Sequence, residues 1–196
     1  MARKRVGILI SGRGSNMQAL IDAARADNYP GQIALVLSSR PDAGGLATAA
    51  AMGVATAVVD QTRFGRDREA FDTEIDRILT EAGIEFICLA GFMRILTEGF
   101  VRRWAGRLIN IHPSLLPAFR GLKPQAQALA AGVSVSGCTV HHVVPDLDAG
   151  PSIAQAVVPV LPGDTEESLS ARILQAEHKL YPEALKVVLN QASTPS

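Results

Sequence analysis

The chain has 196 residues and is 47% hydrophobic, enough to bury a continuous α/β core. Its 19 basic residues match its 19 acidic ones, and that balance argues against a general nucleic-acid binder while leaving room for a local phosphate pocket. No stretch approaches the roughly 20 apolar residues of a membrane span, and the apolar run after Met1-Ala2-Arg3-Lys4-Arg5 is too short for a signal-peptide core. The protein is expected to be soluble and cytoplasmic.

Short β-branched runs alternate with amphipathic stretches, the pattern of parallel strands joined by crossover helices. Strands are predicted at Val6 to Ile10, Ile33 to Leu37, Val54 to Val59 and Phe86 to Ala90. Their near-continuous apolar character is that of strands covered on both faces. Helices are predicted between them, at Asn16 to Arg25, Ala43 to Met52 and Asp67 to Ala82. The last of these places Phe71, Ile75, Ile78, Leu79 and Ala82 on one face and is stopped by Gly83.

A fifth strand, Leu108 to Ile111, runs into the loop His112-Pro113-Ser114-Leu115-Leu116-Pro117. A helix from Pro124 to Ala131 follows, then strands at Cys138 to Val143 and Ile153 to Val160. A last long helix is expected to be capped by Asp164 with Glu167 and to bury Leu169, Ile173, Ala176 and Leu180. Pro182 should kink or break it. These elements predict one α/β domain over residues 1–191: an open, mostly parallel twisted sheet of about seven strands with helices on both faces. Its phosphate-binding half covers about 1–100, its catalytic half about 101–191, and the tail 192–196 is expected to fray. Cys88 and Cys138, both in apolar runs, read as buried free thiols.

Three places carry chemistry. Ser11-Gly12-Arg13-Gly14-Ser15-Asn16 joins a strand to a helix, where free N–H groups and the helix dipole suit a phosphate. The third glycine of a dinucleotide fingerprint is absent at Met17, and there is no lysine-serine pair of an ATP-binding loop. The competing reading is a tight turn with Ser15 or Asn16 as a helix cap. Asn110 and His112 project from the same side of a strand's carboxyl end, where open α/β sheets bind ligands. An amide can hold a developing oxyanion and an imidazole can carry protons. The loop Asp146-Leu147-Asp148-Ala149-Gly150 offers the imidazole a carboxylate. His141, His142 and His178 read as satisfied structural histidines, and no cluster has metal-ligand spacing, so no metal is expected.

Together with Ala90-Gly91-Phe92-Met93-Arg94-Ile95-Leu96 and Leu147-Asp148-Ala149-Gly150-Pro151, these segments resemble the phosphoribosylglycinamide formyltransferases, a family of folate-dependent enzymes of purine synthesis. The resemblance runs from about Arg5 to Leu189 and implies a Rossmann-like formyltransferase fold. It implies formyl transfer from 10-formyltetrahydrofolate, as co-substrate, to the amine of 5-phosphoribosylglycinamide. Gly14, Ser15 and Asn16 would hold the phosphate, and Glu177 the ribose or glycinamide part. Arg68, Met93, Arg94, Ile95 and Leu96 would line the folate cleft, with the pterin meeting Val144, Pro145, Asp146, Leu147 and Asp148. Asn110 would hold the formyl oxygen, also against the folate, and His112 would carry the proton with Asp148 as its partner. A cis Leu116–Pro117 bond is likewise implied.

The partners are expected to be small molecules, with no nucleic acid and no membrane, in a monomer or homodimer. Lys123 and Gln125 stand where the family commonly has histidines; Lys123 either adds a permanent charge near the phosphate or is solvated. The rivals are a methionyl-tRNA formyltransferase, a formyltetrahydrofolate deformylase and a non-catalytic nucleotide-binding module. The first two are disfavoured by the expectation that they carry an added domain.

Overall fold

The computed structural model describes residues 3–192. The chain folds in the order β1 (Lys4–Ile10), α1 (Ser15–Ala24), β2 (Gly31–Ser38), α2 (Gly44–Ala51), β3 (Thr56–Val58), a 3-10 turn (Gln61–Arg63), α3 (Arg68–Glu81), β4 (Phe86–Leu89), α4 (Glu98–Arg103), β5 (Leu108–His112), α5 (Pro124–Ala130), β6 (Val135–His142), β7 (Ser152–Pro159) and α6 (Glu166–Gln191). The seven strands make one open sheet ordered β3-β2-β1-β4-β5-β6-β7. Pairing is parallel from β3 to β5 and antiparallel from β5 to β7. The mostly parallel seven-stranded sheet expected from the sequence is therefore present.

The period-two alternation of each strand sends its side chains to two separate cores. Val6, Ile8, Ile10 and Cys88 meet Met17, Leu20, Leu169, Tyr181 and Leu185 on one face, which α1, α2, α5 and α6 cover. Leu9, Ile87 and Leu89 meet Phe71, Ile75, Leu79, Phe100 and Trp104 on the other, covered by α3 and α4. Both cysteines are buried free thiols, as expected. Strand order reverses between β1 and β4, so their carboxyl ends diverge and open a crevice there, with the end of β5 alongside.

Three details differ from the sequence reading, and the competing reading of the glycine loop fails. The short helix α4 was not foreseen; its six residues, capped by Thr97, are too few for a visible periodicity. The cap of α6 is Thr165, whose hydroxyl accepts from Ser168 N–H while Ser168 Oγ accepts from Thr165 N–H. Asp164 instead pairs with Arg172 at 2.8 Å, which holds its carboxyl far below the usual range. Pro182 does not break α6, which runs through it for 26 residues. Tyr181, Leu185, Val188 and Leu189 are buried around it, and Tyr29 Oη donates to the Pro182 carbonyl at 2.7 Å. That packing outweighs the one backbone hydrogen bond proline forfeits. Neither Ser15 nor Asn16 caps α1, whose N-cap is Gly14 at φ 72°. Of the expected frayed tail, Ala192 is the C-cap of α6 and residues 193–196 lie outside the described residues.

Candidate active site

The glycine loop leaves β1 at the crevice. Gly14 takes the left-handed conformation there, and a β-carbon would press against the Gly45 backbone and the Met17 side chain. With glycine at the N-cap, no side chain caps α1, and its first N–H groups remain free for an anion. Asn16 reaches the other way: its Nδ2 donates to Glu177 Oε2 at 2.8 Å, while its Oδ1 is buried without a partner. Burial pushes the Glu177 carboxyl up, and the Asn16 amide opposes that. The glycine loop, the proline loop, α5 and α6 border an open cleft of roughly 570 Å³ lined by Arg13, Pro113, Gln125, Ser170, Leu174 and Glu177. Gln125 therefore faces the cleft. Lys123 lines no part of it and is exposed at the N-cap of α5. Arg13, which the sequence reading passed over, is the cleft's one basic residue and has no ion pair among the described residues. Its place between two glycines gave no signal of its own.

Asn110, His112 and Asp148 come together at the ends of β5 and β6. His112 Nδ1 lies 3.5 Å from Asp148 Oδ2, and His112 Nε2 lies 2.9 Å from the Phe119 carbonyl. A carbonyl can only accept, so that contact puts a proton on Nε2. Asp148 Oδ2 also accepts the Gly121 N–H at 2.9 Å. Gly150 makes this possible, because a β-carbon there would collide with the His142 carbonyl and push the Asp148 loop away. The His112 and Asp148 side chains are each only 8% exposed, so their interaction is little screened.

His141, which the sequence reads as a structural histidine, also lies beside this cluster. Antiparallel register sets it opposite Asn110, a pairing that sequence alone does not give. Its Nδ1 donates to the His142 carbonyl at 3.0 Å, which leaves Nε2 to face Asn110 Nδ2 at 3.4 Å and Asp148 Oδ1 at 3.8 Å. Burial lowers its pKa, and a neutral ring with a bare Nε2 can orient the Asn110 amide. Behind the cluster, Thr139 Oγ1 donates to the Ser114 carbonyl and accepts from Leu116 N–H, bracing the proline loop. The Leu116–Pro117 bond is cis, as the resemblance implied.

The segment after β4 forms the other wall of the crevice. Met93 and Ile95 are 74% and 64% exposed, and Leu147 across the site is 57% exposed. Arg68 donates to the Ile95 and Leu96 carbonyls, and the Arg94 guanidinium lies 4.6 Å from the centre of the Phe71 ring. Val144 is half-buried, while Pro145 and Asp146 are exposed on the β6–β7 loop. Ser11 connects this wall to the glycine loop: its Oγ accepts Met93 N–H at 2.9 Å, and its N–H donates to the Gly91 carbonyl. Among the described residues, no group of three or more His, Cys, Asp or Glu side chains is placed to hold a metal, and no helix is long and apolar enough to cross a membrane.

An amide, an imidazole and a carboxylate at the carboxyl edge of an open sheet, beside an uncapped helix start, are groups suited to group-transfer chemistry on an α/β fold. The comparisons narrow that class. A family model described as formyl transferase matches residues 4–185; the chain belongs to that family. It is 46% identical to the phosphoribosylglycinamide formyltransferase of Escherichia coli over 89% of this chain and 82% of that protein. Its backbone superposes on glycinamide ribonucleotide transformylase 1 of Symbiobacterium toebii with a TM-score of 0.94 at 45% identity, covering 99% and 91% of the two chains. It is 54% identical to the trifunctional purine biosynthetic protein adenosine-3 of Drosophila pseudoobscura pseudoobscura over 97% of this chain. The chain spans only 14% of that larger relative.

Proposed function

We propose that the protein transfers the formyl group of 10-formyltetrahydrofolate to the amine of 5-phosphoribosylglycinamide. The carrying observation is the meeting of Asn110, His112 and Asp148 beside the uncapped start of α1. In this reading an acyl-transfer centre and an anion site share one crevice. Membership of the formyl transferase family and the names of the two bacterial relatives support the reading.

In this reading Gly14, Ser15 and Asn16 receive the substrate phosphate, and Glu177 contacts the ribose or glycinamide part. Arg68, Arg94 and the Met93–Leu96 wall frame the folate, with its pterin against Val144–Asp148. The amine attacks the formyl carbon, and the bond from that carbon to N10 breaks as the tetrahedral intermediate collapses. Asn110 donates Nδ2–H to the formyl oxygen as it gains charge. His112, through the Nδ1 that the Phe119 contact leaves bare, takes the proton the amine loses and passes it to the departing nitrogen, so no net proton is consumed. Asp148 stabilises the charged imidazole in between. His141 holds the Asn110 amide in place.

The test is a formyl-labelled donor offered with 5-phosphoribosylglycinamide, methionyl-tRNA or water as acceptor. The reading expects label in the phosphorylated amine at stoichiometric yield. Label appearing only as formate or on tRNA would overturn it.

A further inference from the structure

Two side chains one turn apart on α3 grip the folate wall through opposite charges. Arg68 donates to the Ile95 carbonyl at 2.8 and 3.2 Å and to the Leu96 carbonyl at 3.1 Å. Asp72, only 4% exposed, accepts the Thr97 N–H at 2.6 Å. A cation thus holds the carbonyls of residues 95 and 96, and an anion holds the next N–H. Thr97 Oγ1 in turn accepts from Phe100 N–H and starts α4. One turn further along α3, Asp76 accepts Trp104 Nε1–H at 2.9 Å and pairs with Arg103 at 2.8 Å. The same helix therefore fixes both the wall and the helix that follows it.

The wall has little cohesion of its own, because Met93 and Ile95 point their apolar side chains outward. Its other supports are Leu96, buried in the second core, Arg94 on the Phe71 ring and Met93 N–H on Ser11. Burial pushes the Asp72 carboxyl up, while Thr97, Arg68 and Arg94 draw it down. A buried carboxylate is costly to keep unless it has a fixed partner. Here the partner is the backbone of the wall.

We infer that Asp72 is a positioning residue for the formyl donor: by fixing Thr97 it holds residues 93–97 in the shape that receives the folate, without touching the folate itself. This rests on the proposed function, in which that segment frames the donor.

The test is steady-state kinetics of Asp72→Ala with each substrate varied in turn. Loss of the acceptor leaves a part-buried N–H unpaired, which on the usual scale of such losses raises the donor KM about tenfold. The KM for the phosphorylated amine should stay within about twofold and kcat within about threefold. Asp72→Asn keeps an acceptor oxygen, so its donor KM should return to within about threefold of wild type. Thr97→Pro removes the same hydrogen bond from the other side, and the φ of −71° at Thr97 suits a proline ring. It should show the same selective rise. An unchanged donor KM in either folded variant, or a parallel change in both KM values and kcat, would overturn the assignment.

Wild-type transfer run alongside separates the two claims. If wild type transfers formyl and the variants keep its donor KM, Asp72 alone loses its role. If wild type transfers none, the parent reading fails. Calorimetric titration with 10-formyltetrahydrofolate then decides the clamp: weaker binding by Asp72→Ala than by wild type supports it, and equal binding overturns it.

Discussion

Replacing Asp148 with asparagine keeps the side-chain shape and an oxygen for the Gly121 N–H, which now comes to Asp148 Oδ2 at 2.9 Å. It removes the charge facing His112 Nδ1 at 3.5 Å. With an effective dielectric of about 20, a full charge pair at that distance is worth about 5 kcal/mol, and a half-transferred proton about half of that. The predicted loss in kcat is therefore about 50-fold to 3000-fold. KM for both substrates should move by less than about threefold, because the carboxylate acts on a charge that develops only during reaction. The assay is initial-rate formation of deformylated folate with both substrates saturating, and circular dichroism checks that the fold survives. A variant with kcat within about threefold of wild type would refute the electrostatic role given to Asp148.

Arg13→Gln should raise the KM for the phosphorylated amine about tenfold at low salt, on the scale of a charge-assisted hydrogen bond. Lys123→Ala should have the smaller effect, because Gln125 and Arg13 line the cleft and Lys123 does not; the reverse order would count against this placement. Tyr181 Oη lies 2.9 and 3.2 Å from the Leu89 and Ile109 carbonyls and ties α6 to β4 and β5. Tyr181→Phe should cost about 1–3 kcal/mol in urea unfolding, and an unchanged midpoint would contradict that. His142 has a buried Nδ1 without a partner, and burial lowers its pKa below the ordinary value of 6.5. The unfolded chain then binds the proton more readily, so stability is present above pH 6.5 and is lost as pH falls toward the folded-state pKa. His142→Phe should shrink the fall in Tm between pH 7.5 and about pH 5.5, and an identical fall in both proteins would exclude this source.

How far the sequence reached depended on how local each signal was. The parallel strands showed as apolar runs such as Val6 to Ile10, because strands covered on both faces need apolar residues at every position. Asn110 and His112 were legible as a pair because period-two alternation puts residues two apart on one face. His141 was not, since its place opposite Asn110 depends on the β5–β6 register, which is a tertiary fact. The Asp72 clamp was invisible for a similar reason: its partner Thr97 is 25 positions away, across a turn of chain no pattern defines. Pro182 misled because helix propensity is a local preference and the packing of α6 is not. The capping box of α6 was displaced by one residue, since Asp164, Thr165 and Ser168 all offer capping chemistry within one turn.

A crystal complex with 5-phosphoribosylglycinamide and a stable analogue of the formyl donor tests the central claim most directly. The account predicts the phosphate on the N–H groups of Gly14 to Asn16 and the folate between the Met93–Leu96 wall and the Val144–Asp148 loop. The atom standing for the formyl oxygen should lie about 2.7–3.1 Å from Asn110 Nδ2, the distance expected of an oxyanion donor. A donor bound away from Asn110 and His112, or a phosphate seated elsewhere than the start of α1, would contradict it.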